Sequence, residues 1–404
     1  MFRGFSQIFN KANKDLRKRI YITLFCLGLF ALGSSVTIPW ATQIYQDLGF
    51  LEIFNIMSGG GLRSFSIFAL GVSPYITASI ITQLLQMDIV PYFKDLKDQG
   101  YTGRQKINKI NRYMGSASVF VQLKTALVMT AGTAFCLWMG DQITNKGIGN
   151  GQSMLIMAGI ILSMPSIFTG AYYGFITSGT YEPALGIFFF SLFILVYILI
   201  IVGIIWIQLA ERRIPIQYAN KSTSAYGAQN SFLPIKLNSA GVMPVIFASI
   251  LTTIPATIVA LTKNQNAIDF VNKYIVYNSP TGFILYIILI LFFGYFYTFM
   301  VMNPDEMSKN LNERGGYIPG IRPGEDTSKY ISNSMGKLTL VGSIFLVILA
   351  AIPIIFSLIF GLSSQVTIGG TGMLIVVGVA IETYKQMESS LVSRSYTAKR
   401  KRLR

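Results

Sequence analysis

Side chains that carry reaction chemistry are scarce in this sequence, and their placement argues against catalysis. None of the 404 residues is a histidine, which removes the commonest general base and metal ligand. Cys26 and Cys136 both stand inside apolar runs, where a thiol behaves as a small buried hydrophobe rather than as half of a disulfide or a metal ligand. No paired aspartates fall within the apolar stretches, and no nucleophile–base constellation is visible, so no enzymatic reaction and no cofactor are expected. What the sequence offers is mechanical and electrostatic. A glycine run, Ser58-Gly59-Gly60-Gly61, is followed by Gly71 and Pro74, a pattern that bends or breaks a helix. Arginines also stand in the polar segments, where the guanidinium fork suits carboxylate or phosphate.

Those residues need a scaffold, and composition names its solvent. Hydrophobic residues make up 52% of the chain and charged residues 12%, with a mean hydropathy of +0.53. Soluble domains are about a quarter charged, so a chain this apolar needs lipid around it. Apolar stretches of about 17 to 25 residues mark membrane spans. They fall at 20–40, 65–86, 113–140, 153–170, 184–209, 239–261, 281–302, 338–361 and about 366–381. Backbone groups in hydrocarbon must be satisfied within the segment, which makes each a helix. The alternation of a membrane barrel is absent. The basic stretch 1–19 leads into a run long enough to span, so no cleaved leader is expected.

A net charge of +16 could suit a nucleic-acid binder, but its distribution has another cause. Take as one side the segments 1–19, 87–112, 141–152, 210–238, 303–337 and 382 onward. That side holds 29 of the 33 Lys and Arg residues, leaving only Arg63, Lys124, Lys263 and Lys273 elsewhere. The positive-inside rule makes it the cytoplasm and puts both termini there. The expected location is the inner (plasma) membrane, crossed many times. Contact of the basic loops with ribosomal RNA stays open.

Two segments break the pattern. Gly-rich entry and the Gly71–Pro74 break predict a discontinuous second span, with a short half-helix, a bend, and a second helix from about Pro74. Broken helices in membranes line pathways; the alternative is a glycine-rich turn before an ordinary Pro-kinked span. The stretch 113–140 has flanks that both read as cytoplasmic, yet 28 residues are too few for two helices. Lys124 also stands near its middle, where charge is costly in lipid. Either the segment folds as a short hairpin, or about 30 residues, enough to complete a second crossing, are absent near Gln122–Lys124.

At this point the order of motifs becomes specific. The runs "MSGGGLRSFSIFALGVSPYITASIITQLLQMDIVP", "GYTGRQKINKINRY", "GDQITNKGIGNGQS", "RRIPIQYA", "LPIKLNSAGVMPVIFASI", "MNPDEMSKNLNERGGYIPGIRPGEDTSKYI" and "GGTGMLIVVGVAIETYKQMESSL" resemble the SecY family of protein-conducting channels, in the housekeeping form more than the accessory one. The resemblance covers most of the chain. It implies an all-α polytopic fold of ten helices in two inverted five-helix halves, with a discontinuous second helix that forms a plug. The halves would be 1–170 and 171–391, followed by a basic cytoplasmic tail at 392–404. The nine spans counted above are one short, and the deficit falls at 113–140.

The resemblance also implies roles. A dewetting ring of aliphatic side chains seals a channel while offering no strong binding site; the matching positions are Val72, Ile76, Ile156, Ile246 and Ile375. On residue type alone each would be ordinary helix packing. The plug would run from about Ser58 to Leu70, comprising Gly59, Gly60, Gly61, Leu62, Arg63, Ser64, Phe65, Ser66, Ile67 and Phe68, where Arg63 can face water. Thr77, Thr82 and Gln83 would give a lateral gate its polar seam, or simply bond between helices. Arg212, Arg213 and Arg322 match docking positions for the motor ATPase and the ribosome, against a background of positive-inside charge. Pro319, Gly320, Pro323 and Gly324 would stiffen the turn presenting Arg322. Implied partners are the small membrane subunits SecE and SecG, the motor SecA, the ribosome, signal peptides and unfolded preproteins, a YidC-type insertase and the lipid bilayer. Leu32 stands where the family commonly has arginine. A solute transporter is the rival reading, but apart from Lys124 the spans hold no ionisable residue for a midplane site.

Overall fold

The computed structural model describes residues 14–39, 52–85, 123–177, 182–218, 231–262, 265–275, 279–360 and 372–389. The predicted loop 87–112, residues 113–122 and the tail 392–404 lie outside the described residues. The chain divides into two compact units, Met1–Ser191 with Gly361–Arg404, and Leu192–Phe360. This division differs from the halves read from sequence, because the C-terminal residues group with the first unit.

In the first unit, α1 spans Lys14–Ser35. It stops before Val36-Thr37-Ile38, three β-branched residues followed by Pro39. The ring of Pro39 disfavours helix at Ile38, and Thr37 instead bridges to Ser66. The second span is interrupted, as expected, but not where expected. Its short helix is α2, Glu52–Met57, upstream of the glycines; residues 58–72 are turns with the Ser66 bridge; and α3 runs Ser73–Leu85. Gly59 and Gly60 have φ of 75° and 81°. The Gly59 N–H donates to the Ile56 carbonyl and the Gly60 N–H to the Asn55 carbonyl, a Schellman cap that ends α2 rather than a run-in to a helix. Pro74 lies in the first turn of α3, where its missing N–H costs nothing.

Helix α4, Leu123–Lys146, is followed by α5, Gly151–Tyr172, and a π turn at Tyr173–Thr177. Since α4 is unbroken, no hairpin turn lies in this part of 113–140, and Lys124 stands in the first turn of α4 rather than at mid-span. The expected loop 141–152 is mostly helix as well, and the connection is only 147–150. Asn150 caps α5, its Oδ1 accepting the Gln152 N–H at 3.1 Å. A Cβ on Gly151 would lie 1.8 Å from the Gly140 carbonyl, so only glycine allows this approach. Thr23 of α1 accepts the Ile148 N–H at 3.1 Å. Leu16, Ile20, Ile148 and Met387 form one cluster, so the start of α1, the α4–α5 turn and the end of the helix at 372–389 meet at one end of the unit. That last helix packs on α5: a Cβ on Gly372 would lie 3.1 Å from Ile160 Cγ2, and the Thr383 hydroxyl is 3.4 Å from Met154 Sδ.

The remaining chain is α6 (Pro183–Leu209), β1 (Glu211–Tyr218), β2 (Ser231–Lys236), α7 (Met243–Thr262), α8 (Gln265–Tyr274), α9 (Pro280–Val301), α10 (Pro304–Glu313), β3 (Gly316–Tyr317) and α11 (Glu325–Phe360). Apart from the first turns of α6 these belong to the second unit. Among the described residues four helical stretches are long and apolar enough to cross a membrane: Gly151–Thr177, Pro183–Leu209, Pro280–Glu313 and Glu325–Phe360. Helix α6 is apolar all round and exposes Leu195, Ile198, Leu199, Val202 and Trp206, a surface that suits hydrocarbon and not water.

The described parts of the segments 210–238 and 303–337, read from sequence as loops, fold together. They form a three-stranded sheet of order β2-β1-β3, with Ile214 opposite Leu233 and Gln217 opposite Tyr317. Ile214 and Ile216 pack with Ile235, Leu311, Ile318 and Ile331 in a separate small core. The alternation Arg213-Ile214-Pro215-Ile216-Gln217 was the available strand signal.

Candidate functional site

The interrupted span is held at two places in the first unit. The upstream seat is on α5. Ser163 Oγ donates to the Ile56 carbonyl at 2.9 Å and lies 3.1 Å from the Gly159 carbonyl of its own helix. A Cβ on Gly159 would lie 2.0 Å from the Met57 carbonyl oxygen, so glycine is what lets the end of α2 settle against α5. Asn55 organises the turn beyond: its carbonyl accepts from Ser58 Oγ at 3.0 Å, and its Oδ1 accepts the Arg63 N–H at 3.0 Å. Arg63 is half-buried, in the turn that follows α2.

The downstream seat is an aromatic slot. Phe68 lies between Phe30 of α1 and Phe135 of α4, with ring centroids 6.0 and 5.9 Å away and planes nearly parallel. A Cβ on Gly33 would lie 2.0 Å from the Phe68 ring, and one on Gly132 would lie 2.0 Å from the Ile67 carbonyl. Backbone bonds add to the side chains, since Ile38 N–H donates to the Phe65 carbonyl at 2.9 Å and Ile67 N–H to the Val36 carbonyl at 3.0 Å. Phe65 itself has a φ of 47°, an uncommon conformation for a residue with a Cβ. None of Gly33, Gly132, Gly159, Ser163 or Asn55 was singled out from sequence. The Gly159–Ser163 pair, one turn apart on an apolar helix, was the available signal.

Four of the five expected ring residues, Val72, Ile156, Ile246 and Ile375, are buried, and Ile76 is half-buried. Val72 stands just before α3 rather than within it, yet its carbonyl accepts the Ile76 N–H at 3.1 Å, so the two still share one helical face. On α5 and the helix at 372–389, the Met154–Thr383 and Ile160–Gly372 contacts bracket Ile156 and Ile375. Ile246 belongs to the second unit. Its surroundings repeat those of Ile76. Gly71-Val72-Ser73-Pro74-Tyr75-Ile76 and Gly241-Val242-Met243-Pro244-Val245-Ile246 share Gly, Val, Pro and Ile. Gly71 and Gly241 have φ of 52° and 64°, and Ile246 N–H donates to the Val242 carbonyl at 3.3 Å. The same local chemistry thus starts α3 and α7.

Thr77, Thr82 and Gln83 all lie on α3 but do not share a side of it. At about 100° per residue, Thr82 and Gln83 stand about 140° and 240° around from Thr77. Thr77 and Thr82 donate to the carbonyls of Ser73 and Ala78, at 3.2 and 2.9 Å.

The three arginines are exposed and inequivalent. Arg212 and Arg213 are neighbours on β1 and point to opposite faces of the strand. Arg213 is already engaged: its Nη2 and Nε both reach Glu211 Oε1 at 2.8 Å, and its guanidinium lies 4.7 Å from the centre of the Phe232 ring. Arg322 is presented by a fixed turn in which Gly320 and Gly324 take φ of 82° and 103°. The Thr327 hydroxyl donates to the Arg322 carbonyl at 2.8 Å and the Ser308 hydroxyl to the Gly324 carbonyl at 2.7 Å. Lys329, 2.8 Å from Glu325, holds that exposed carboxyl below its ordinary range. Leu32 lies on the exposed side of α1.

An interrupted helix seated on its neighbours, among spans apolar enough for lipid, defines a polytopic membrane protein built around a broken second helix. The SecY family profile matches residues 66–384. A protein translocase subunit SecY of Halalkalibacterium halodurans is 42% identical over 430 positions, covering 98% of this chain and 99% of the relative. Another from Staphylococcus epidermidis is 41% identical over 439 positions, with the same coverage. The chain belongs to the SecY family. Among solved structures it is similar in fold to one described as "The structure of a protein conducting channel", with a TM-score of 0.64, 21% identity and 94% and 93% of the two chains covered. A second, concerning the plug domain of SecY and the closed state of the translocation channel, gives a TM-score of 0.63 at 22% identity, with the same coverage.

Proposed function

We propose that this chain is the channel-forming subunit of a protein translocase, passing unfolded polypeptides across the membrane and releasing apolar segments sideways into lipid. The observation that carries this reading is the interrupted second span. A short capped helix is seated on α5 through one hydroxyl and one close approach, while the chain beyond it is anchored at Phe68 and leads directly into Val72 and Ile76. A movable stopper joined to an aliphatic constriction is what a channel for varied side chains requires. The ring is assigned to Val72, Ile76, Ile156, Ile246 and Ile375. The stopper is assigned to 52–68, extending the expected plug upstream to include α2. Thr77, Thr82 and Gln83 serve as polar positions of the gating helix α3.

The chain itself performs no catalysis, and energy comes from a partner. Arg212, Arg213 and Arg322 form the docking surface for a motor ATPase of the SecA type and for the ribosome; a neighbour of similar fold is described as Sec61 in a canine ribosome-channel complex. SecE- and SecG-type subunits complete the assembly in the inner membrane. The two halves, 1–170 and 171–391, are inverted repeats, a reading supported by the matching Gly-Val-x-Pro-x-Ile starts of α3 and α7. Both termini are cytoplasmic. Supporting this, the start of α1, the α4–α5 turn and the end of the helix at 372–389 share one end of their unit, with Arg17, Lys18, Lys146 and Lys385 nearby in sequence.

The test is reconstitution of the purified chain with SecE- and SecG-type subunits and the motor in proteoliposomes. ATP-dependent protection of a preprotein from added protease is the expected result. Solute uptake without ATP, or no protection while a known translocase succeeds in parallel, would overturn the proposal.

A further inference from the structure

We infer that Ser163 is a reversible latch that holds the plug closed; this rests on the channel reading above. The Ser163 hydroxyl carries one proton and has two acceptors within reach, the Ile56 carbonyl of α2 at 2.9 Å and the Gly159 carbonyl of its own helix at 3.1 Å. Ser163 is buried, 3% exposed, so a donor left without a partner would be costly there. When α2 leaves, the hydroxyl still donates to the Gly159 carbonyl and no donor is orphaned. The other side of the bond is equally protected, because the Ile56 carbonyl also accepts the Gly59 N–H at 3.1 Å within the cap that moves with α2. The bond can therefore break and re-form without orphaning a buried polar group, so that opening costs the bond alone.

Ile56 and Met57 of α2 are buried as deeply as Phe68, but the second attachment has no exchangeable hydrogen bond of this kind. Phe68 is 6% exposed in a slot with aromatic rings on two sides and glycines at the other contacts. Removing it would expose a large apolar face with nothing to replace the contacts. Residues 52–64 thus form the part that swings, Phe65–Phe68 the hinge that stays, and Ser163 the catch. Gly159 sets the closing distance, since any side chain there would push the Met57 carbonyl away.

The experiment compares Ser163→Ala, deletion of 52–64, and the two combined, each in the full translocase in membranes. The readouts are export of a reporter enzyme with a defective signal sequence and ion conductance across planar bilayers. Ser163→Ala should raise both by about two- to tenfold, while adding nothing in the deletion background, because the latch acts only through the plug. Misfolding would lower export, so it cannot imitate this gain. No change with Ser163→Ala while the deletion raises both readouts would overturn the latch. An equal rise in both backgrounds would overturn it too, by placing the effect in the fold of α5. If the deletion itself changes neither readout, the plug reading beneath the latch fails instead.

Discussion

The amide of Ile76 donates to the carbonyl of Val72 at 3.1 Å, and Ile246 repeats the bond to Val242 at 3.3 Å. Each pair opens a helix just after a glycine of positive φ, so each isoleucine is fixed one turn inside its helix. A polar group at such a position gives water a foothold in a constriction that seals by dewetting. Ile76→Asn, Ile246→Asn and Ile375→Asn should each raise resting conductance in planar bilayers by about tenfold. They should also relax the need for an intact signal sequence. Resting conductance unchanged in all three would remove the ring assignment.

The aromatic slot makes a stability prediction separate from gating. Phe68→Ala deletes a buried ring between Phe30 and Phe135 and should cost about 3–5 kcal/mol. Gly132→Val would drive a side chain into the Ile67 carbonyl and should lower the unfolding temperature at least as far. Thermal unfolding of the detergent-solubilised protein measures both. If Phe68→Ala unfolds at the wild-type temperature, the slot is not an anchor.

Arg212 and Arg213 should not contribute equally to docking. Glu211 and Phe232 already occupy the Arg213 guanidinium, so an acidic partner must compete for it. Arg212→Ala should weaken motor binding more than Arg213→Ala, by about 1 kcal/mol. Glu211→Gln should strengthen binding at low salt, with the gain fading at high salt. Equilibrium binding at two salt concentrations decides the point, and equal losses for the two arginine variants would count against it.

The Arg322 turn is held from below by hydroxyls. Thr327→Val removes the donor to the Arg322 carbonyl while leaving the arginine in place, and should loosen the turn at a cost of about 1 kcal/mol. Docking should fall several-fold without loss of charge. Full docking by Thr327→Val would mean that the prolines and glycines alone hold the turn.

Membrane class and approximate spans were legible in the residue order, because partitioning between water and lipid is a sum over local segments. Family membership was legible too, carried by motifs spread along the chain. The two polar segments at 210–238 and 303–337 were read as separate loops, since only the pairing of β1 with β2 and β3 shows that they share a core. The interruption of the second span could be foreseen from Gly59, Gly60, Gly71 and Pro74, but not its phase. A glycine run starts or stops a helix according to which carbonyls its amides meet, and here they close α2.

The apolar spans were therefore decided by composition. Which hydroxyl catches α2, which ring anchors Phe68 and which of two adjacent arginines is left open were decided only in three dimensions. Each depends on a partner distant in the chain: Ser163 on Ile56, Phe68 on Phe30 and Phe135, Arg213 on Phe232. Hydropathy and charge add up residue by residue, whereas close approach and hydrogen-bond choice exist only once the helices have packed.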